Sequence, residues 1–149
     1  MFKRILVPTD GSPMSHRAIA CAVRLAKEQN ARLTALWVGP AWEPNLYAYG
    51  RGVPAGFVSP KAHAAHVKKL GDRYLGEARK AAAAARVPCA CHSVQGAFPH
   101  LEIIKAARRR RCDLVIMASH GRRGISRLLL GSIAGKVLAH ADIPVLICR

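Results

Sequence analysis

Acidic side chains are scarce in this sequence. Eight Asp and Glu stand against 24 Lys and Arg, a formal net charge of +16 over 149 residues. That excess points to polyanionic partners, whether nucleotides, nucleic acid or a membrane surface. Aromatics are also few, at 5% of the chain, while half the residues are hydrophobic. The apolar load therefore rests on Ala, Leu, Ile and Val, the mix expected of helices packed on a buried sheet. No apolar run approaches the roughly 18 residues of a membrane span. The opening Met1-Phe-Lys-Arg-Ile-Leu-Val-Pro8 is too short in apolar residues to serve as a signal peptide. The five cysteines (Cys21, Cys89, Cys91, Cys112, Cys148) form an odd, irregular set, so the expectation is a cytoplasmic protein with reduced thiols. Cys89-Ala-Cys91-His92 fits no standard zinc spacing, and alternating cysteines on a strand face one way, into a core. His63 and His66 share a helix face without a second ligand pair, and a solvated face is expected there.

The length suits one domain, residues 1–149, and a chain of this size buries roughly 68–70% of its unfolded surface. Ile5-Leu6-Val7, ending at Pro8, reads as a buried strand. Ser12-Pro13 then reads as helix cap and first turn, with Ala18, Ile19, Ala22, Val23 and Ala26 at helical spacing up to about Asn30. Leu33–Val38 is a second strand stopped by Gly39-Pro40. Periodicity fails from Ala41 to Pro60, which is expected to be a long mobile loop. Lys61–Arg86 reads as a helix, Cys89–Val94 as a strand, and Phe98–Arg110 as a helix with Leu101, Ile104 and Ala107 on one face. Leu114–Ala118, Ser132–His140 and Pro144–Cys148 complete the series as strand, helix and strand. Such alternation predicts an α/β fold with a parallel sheet and right-handed crossovers. Ligands of such sheets bind beyond the carboxyl ends of the strands, where strand order reverses.

Two segments at those ends carry loop chemistry: Pro8-Thr9-Asp10-Gly11-Ser12 and the glycine-rich stretch from Met117 to Ser132. In the second, Gly121 and Gly131 let the backbone turn and approach a ligand closely. Gly131-Ser132 directly precedes a helix, whose free N–H groups, with the Ser132 hydroxyl, make an anion site. Arg122 and Arg123 add charge. Met117, Ala118, His120, Gly121, Arg122, Gly131, Ser132 and Ile133 are accordingly candidate nucleotide contacts, His120 without a catalytic role. The duller readings are an Asp10 or Ser132 that only caps a helix, and glycines that only turn. Gly131-Ser-Ile-Ala-Gly135-Lys136 is not a P-loop, since it has three residues between glycines and Val137 in place of the hydroxyl residue. No Gly-x-Gly-x-x-Gly follows the first strand, against a Rossmann dinucleotide site. Arg108–Arg111 reads as a cationic helix C-terminus, suited to solubility or weak polyanion contacts at the edge opposite the cleft.

The register Ala118-x2-Gly121-x9-Gly131-Ser132 resembles the Gly-x2-Gly-x9-Gly-(Ser/Thr) pattern of ATP-binding universal stress proteins. Ile5-Leu-Val-Pro-Thr-Asp-Gly-Ser12 and Ile143-Pro-Val-Leu-Ile147 resemble the family's two ends. The resemblance implies a single doubly wound domain with a five-stranded parallel sheet in the order 3-2-1-4-5 and helices on both faces. It also implies homodimers joined through the last strand and ATP in the cleft, with any Mg or Mn riding on the phosphates. Carried over by position, Pro8, Thr9 and Asp10 flank the nucleotide, the Val38 backbone reaches the adenine, and Gly121, Gly131 and Ser132 hold ribose and phosphates. Two departures stand out: Ala118 replaces the first glycine, and Gly135 stands where Glu is common. The function expected is adenine-nucleotide binding in a stress or regulatory role, with cyclic AMP or another adenylate as alternative ligands. The competing readings are a slow ATPase, for which Asp10 is the one clear candidate base, and a nucleic-acid-binding protein resting on charge.

Overall fold

The computed structural model describes residues 1–42, 59–120 and 130–149. Most of the expected 41–60 loop, together with Gly121, Arg122 and Arg123, lies outside the described residues. The elements are β1 (Arg4–Pro8), α1 (Pro13–Gln29), β2 (Arg32–Gly39), α2 (Pro60–Ala84), β3 (Cys89–Gln95), α3 (Pro99–Arg109), β4 (Leu114–Ala118), α4 (Ser132–His140) and β5 (Val145–Cys148). The five strands pair in parallel in the order β3-β2-β1-β4-β5.

Side chains alternate across the sheet as strand geometry requires. Ile5, Val7, Leu33, Ala35, Trp37, Leu114, Ile116 and Ala118 meet the apolar stripes of α1 and α2 on one face. Leu6, Leu36, Val115 and Met117 meet Ile103, Ala106 and Ala107 of α3 and Ala134 and Val137 of α4 on the other. Ile116, with no exposed surface, would cost about 2–5 kcal/mol on truncation to Ala. Cys89 and Cys91 both pack partly buried against the α1–α2 core, as their alternation implies.

Helices α1 and α2 begin on serine caps. The Ser12 Oγ accepts from the Ser15 N–H at 3.1 Å, and the Ser59 Oγ accepts from the Ala62 N–H at 3.1 Å, each with a proline opening the helix. Three helices end alike. Asn30, Arg86 and Arg111 adopt left-handed backbone (φ 49°, 57° and 52°). The N–H groups of the buried Ala31, Val87 and Cys112 that follow them donate back to Ala26, Ala82 and Ala107. This is the closing pattern in which an apolar contact accompanies a 6→1 hydrogen bond.

Three expectations need correction. Leu101 is 41% exposed, because α3 turns Ile103, Ile104, Ala106 and Ala107 inward instead. His63 is buried rather than solvated, its Nε2 lying 3.1 Å from the Pro40 carbonyl oxygen, which ties the first turn of α2 to the exit of β2. Helix α2 stops at Ala84 rather than Arg86, since Arg86 leaves the helical region.

Candidate functional site

Between β1 and β4 the chain reverses its progress across the sheet, and there the two strands part company. Their ladder pairs Ile5 with Leu114 and Leu6 with Val115. Beyond it each strand end bonds outward: the Thr9 N–H donates to the Leu36 carbonyl at 2.9 Å, and the Ser119 N–H to the Cys148 carbonyl at 2.8 Å. The carboxyl ends of the two strands therefore diverge, at the position where doubly wound sheets take ligands.

One wall is the turn after β1. Thr9 is buried, its Oγ1 3.1 Å from the Ser15 Oγ and accepting from the Gly11 N–H at 3.2 Å. The half-buried Asp10 accepts from the Ser12 N–H at 3.0 Å through Oδ1. Asp10 thus shapes the turn, while the helix cap itself is Ser12. Gly11 has φ 74°, and a Cβ there would overlap the Tyr74 ring, so glycine is needed on both counts.

The other wall runs from β4 to α4. The Gly131 N–H donates to the Ser119 carbonyl at 2.8 Å. A Cβ on Gly131 would stand 2.9 Å from that oxygen and 3.4 Å from the His120 Cα. Its backbone is otherwise ordinary, φ −59° and ψ 149°, and Gly131 rather than Ser132 is the helix cap. Glycine is therefore demanded by close approach, not by an unusual backbone angle. A cap without a side chain leaves the first-turn N–H groups of Ser132, Ile133 and Ala134 to an outside acceptor. Ser132 and Ile133 are exposed. His120 has its Nδ1 3.1 Å from the Ser119 Oγ, and its buried Nε2 has no partner among the described residues. A second buried donor, the Trp42 Nε1 just past β2, is likewise without one among the described residues.

The remaining candidates divide by depth. Pro8 and Val38 lie at the ends of β1 and β2, half-buried. The Met117 and Ala118 side chains point into opposite cores, which leaves their backbone for ligand contact. Gly121 and Arg122 lie outside the described residues. Ser119, Trp42 and Tyr74 escaped the sequence reading. Only Ser119 carried a signal, as a hydroxyl residue immediately after a buried strand. Cys148, whose carbonyl anchors Ser119, is a structural thiol: burial, then its hydrogen bond with Cys21, pushes its pKa up to about 12.

The universal stress protein family matches residues 1–149. The chain belongs to the universal stress protein family. Among similar proteins, universal stress protein YxiE of Bacillus subtilis is 35% identical over 151 residues, covering 100% of both chains. Universal stress protein MJ0531 of Methanocaldococcus jannaschii is 32% identical over 149 residues, covering 100% of this chain and 83% of that one. The solved structure of MJ0577 superimposes with a TM-score of 0.76 at 24% identity, covering 99% of this chain and 96% of its own, and shares the fold. A universal stress protein in complex with cAMP gives 0.70 at 25% identity, over 99% and 97% of the two chains. One from Archaeoglobus fulgidus in complex with dAMP gives 0.65 at 16%, over 99% and 98%. In this member of the family, Ala118 lies in regular strand geometry, paired with Cys148, and is not among the residues with positive φ. The methyl group that replaces the pattern's first glycine therefore meets no backbone strain.

Proposed function

We propose that the crevice between β1 and β4 binds an adenine nucleotide, and that the protein acts as a nucleotide-responsive regulator with slow ATP hydrolysis at most. The observation that carries this reading is the Gly131 junction. A backbone held within hydrogen-bond distance of Ser119 delivers the open N-terminus of α4 to the mouth of the crevice, an arrangement suited to phosphate. Relatives solved with cAMP and dAMP supply the base class. In this reading Pro8, Thr9 and Asp10 border the nucleotide, the Val38 backbone meets the adenine, and Met117 and Ala118 offer backbone contacts. His120, Gly121 and Arg122 line the ribose and phosphate side with Gly131, Ser132 and Ile133. Any Mg or Mn would ride on the phosphates, since no cluster of three ligating side chains stands ready among the described residues. Asp10 accepts from the Ser12 N–H through Oδ1 and so holds the turn beside the nucleotide.

The test is mass spectrometry of whatever small molecule co-purifies with the protein, released by denaturation and followed by calorimetry with ATP and cyclic AMP. An adenylate bound at one site per chain is the expected result. No adenylate in the preparation and no heat with either ligand would overturn the reading.

A further inference from the structure

All five strands start at one end of the molecule, and that end gathers cations that the nucleotide crevice does not use. Arg4 of β1 and Arg32 of β2 are cross-strand partners, so two arginines stand roughly 4.8 Å apart on neighbouring strands. Arg86 stands at the turn into β3, and Arg111 at the turn into β4. Lys27 and Arg108 stand close by, at the ends of α1 and α3. All six are exposed.

Two acids, Asp113 and Asp142, stand among them and offset part of the charge. The Asp113 carboxylate accepts from the backbone N–H groups of Lys3 and Arg4 at 2.7 and 3.0 Å, and Asp142 is bridged to Arg108 at 2.5 Å. Among the described residues Arg4, Arg32, Arg86 and Arg111 join no ion pair. Helix dipoles explain Lys27 and Arg108, in the last turns of α1 and α3. They do not explain Arg4 and Arg32, which sit at strand starts. Nor do they explain why Arg86 and Arg111 hold left-handed backbone (φ 57° and 52°) that glycine or asparagine adopts at lower cost. Like charges set side by side are a burden on the free protein that a polyanion would relieve.

We propose that this end of the sheet is a docking face for duplex DNA, gripped through its phosphates without sequence preference. The arginine row covers the starts of β3, β2, β1 and β4, a span of about 14 Å, enough to reach phosphates on both sides of a groove about 12 Å wide. Guanidinium forks match phosphate oxygens better than ammonium groups do. Single strands need stacking platforms, yet Trp37 and Tyr74 are buried and Phe2 packs against the core. Duplex RNA is recognised by its A-form shape and by combined 2′-hydroxyl and phosphate contacts, of which an arginine row supplies only the phosphate part. A membrane would call for an inserted apolar face. Among the described residues, apart from Met1, the exposed large apolar side chains (Phe98, Leu101, Leu130, Ile133, Leu138, Leu146) lie on α3, α4 and β5 and the segments leading into those helices.

Fluorescence anisotropy with a DNA duplex of about 20 bp, titrated against salt, tests this. With four to five phosphates engaged, log K should fall against log salt with a slope of about −4. The double variant Arg86→Gly/Arg111→Gly should bind at least about tenfold more weakly, with a slope shallower by about 2. It should also melt at a higher temperature, which separates lost binding from lost folding. Arg4→Gln/Arg32→Gln should weaken binding similarly, while Lys61→Gln/Lys69→Gln/Arg73→Gln on α2 should not. ATP affinity should be unchanged in every variant, so the outcome is independent of the nucleotide reading. Equal binding by all variants overturns the proposal, as does equal loss in the α2 set. Phosphatidylserine vesicles that displace the duplex would assign the face to a membrane instead.

Discussion

Gly131 and Ala118 occupy the two ends of the motif, and they respond differently to a methyl group because their surroundings differ. At Gly131 the nearest neighbour of an added Cβ is a backbone oxygen, Ser119 O at 2.9 Å, which cannot rotate aside as a side chain would. Gly131→Val should therefore push the start of α4 away from Ser119 and lose nucleotide binding while the sheet still folds, measured by calorimetry beside a thermal melt. Unchanged affinity in a folded variant would remove Gly131 from the phosphate site. Ala118 already carries its Cβ inside a regular strand. Ala118→Gly should change adenylate affinity by no more than about threefold, some 0.6 kcal/mol. If instead only the glycine variant binds, the departure at this position has switched the site off.

Among the elements, α2 and α3 close on arginines in left-handed backbone, where a Cβ costs about 1 kcal/mol relative to glycine. Arg86→Gly and Arg111→Gly should each stabilise the fold by about that amount, a rise of about 2–4 °C in Tm; a drop would mean the arginine side chain itself supports the closure. The last strand behaves differently. β5 (Val145–Cys148) is an edge with Leu146 38% exposed, and open apolar edges invite pairing. A homodimer through β5 is the expected state, read as a dimer mass by light scattering at micromolar concentration. A monomer throughout that range would refute it.

For the molecule as a whole, pH acts through histidines held neutral. The His92 pKa is lowered by burial and then by the Arg110 guanidinium, whose Nη2 is 3.1 Å from Nδ1; that of His100 is lowered by burial, Lys136 and His140. A pKa below the unfolded value means the unfolded chain takes up protons first as pH falls. Their contribution is complete above the unfolded pKa of about 6.5 and is lost as pH drops below it. Denaturant midpoints should therefore fall between about pH 7.5 and pH 5.5, and less steeply in His92→Gln. An identical pH profile in the variant would show that His92 does not contribute.

Much was legible without coordinates. Apolar runs such as Ile5–Val7 and Leu114–Ala118, and capping pairs such as Ser12-Pro13, are set by short-range periodicity and backbone chemistry, so sequence alone determined the element series and the parallel α/β class. It also located the Gly131-Ser132 helix start, because the identity of a residue before a helix reports on its cap. Tertiary structure decided the rest. Leu101 and His63 exchanged their expected environments because the face a helix buries depends on what packs against it. Ser119 became part of the site through hydrogen bonds to Cys148 and Gly131, residues distant from it in sequence. The reason Gly131 must be glycine became visible only as a distance to Ser119. The row formed by Arg4, Arg32, Arg86 and Arg111 exists only because parallel strands start together, which brings charges scattered through the sequence to one edge.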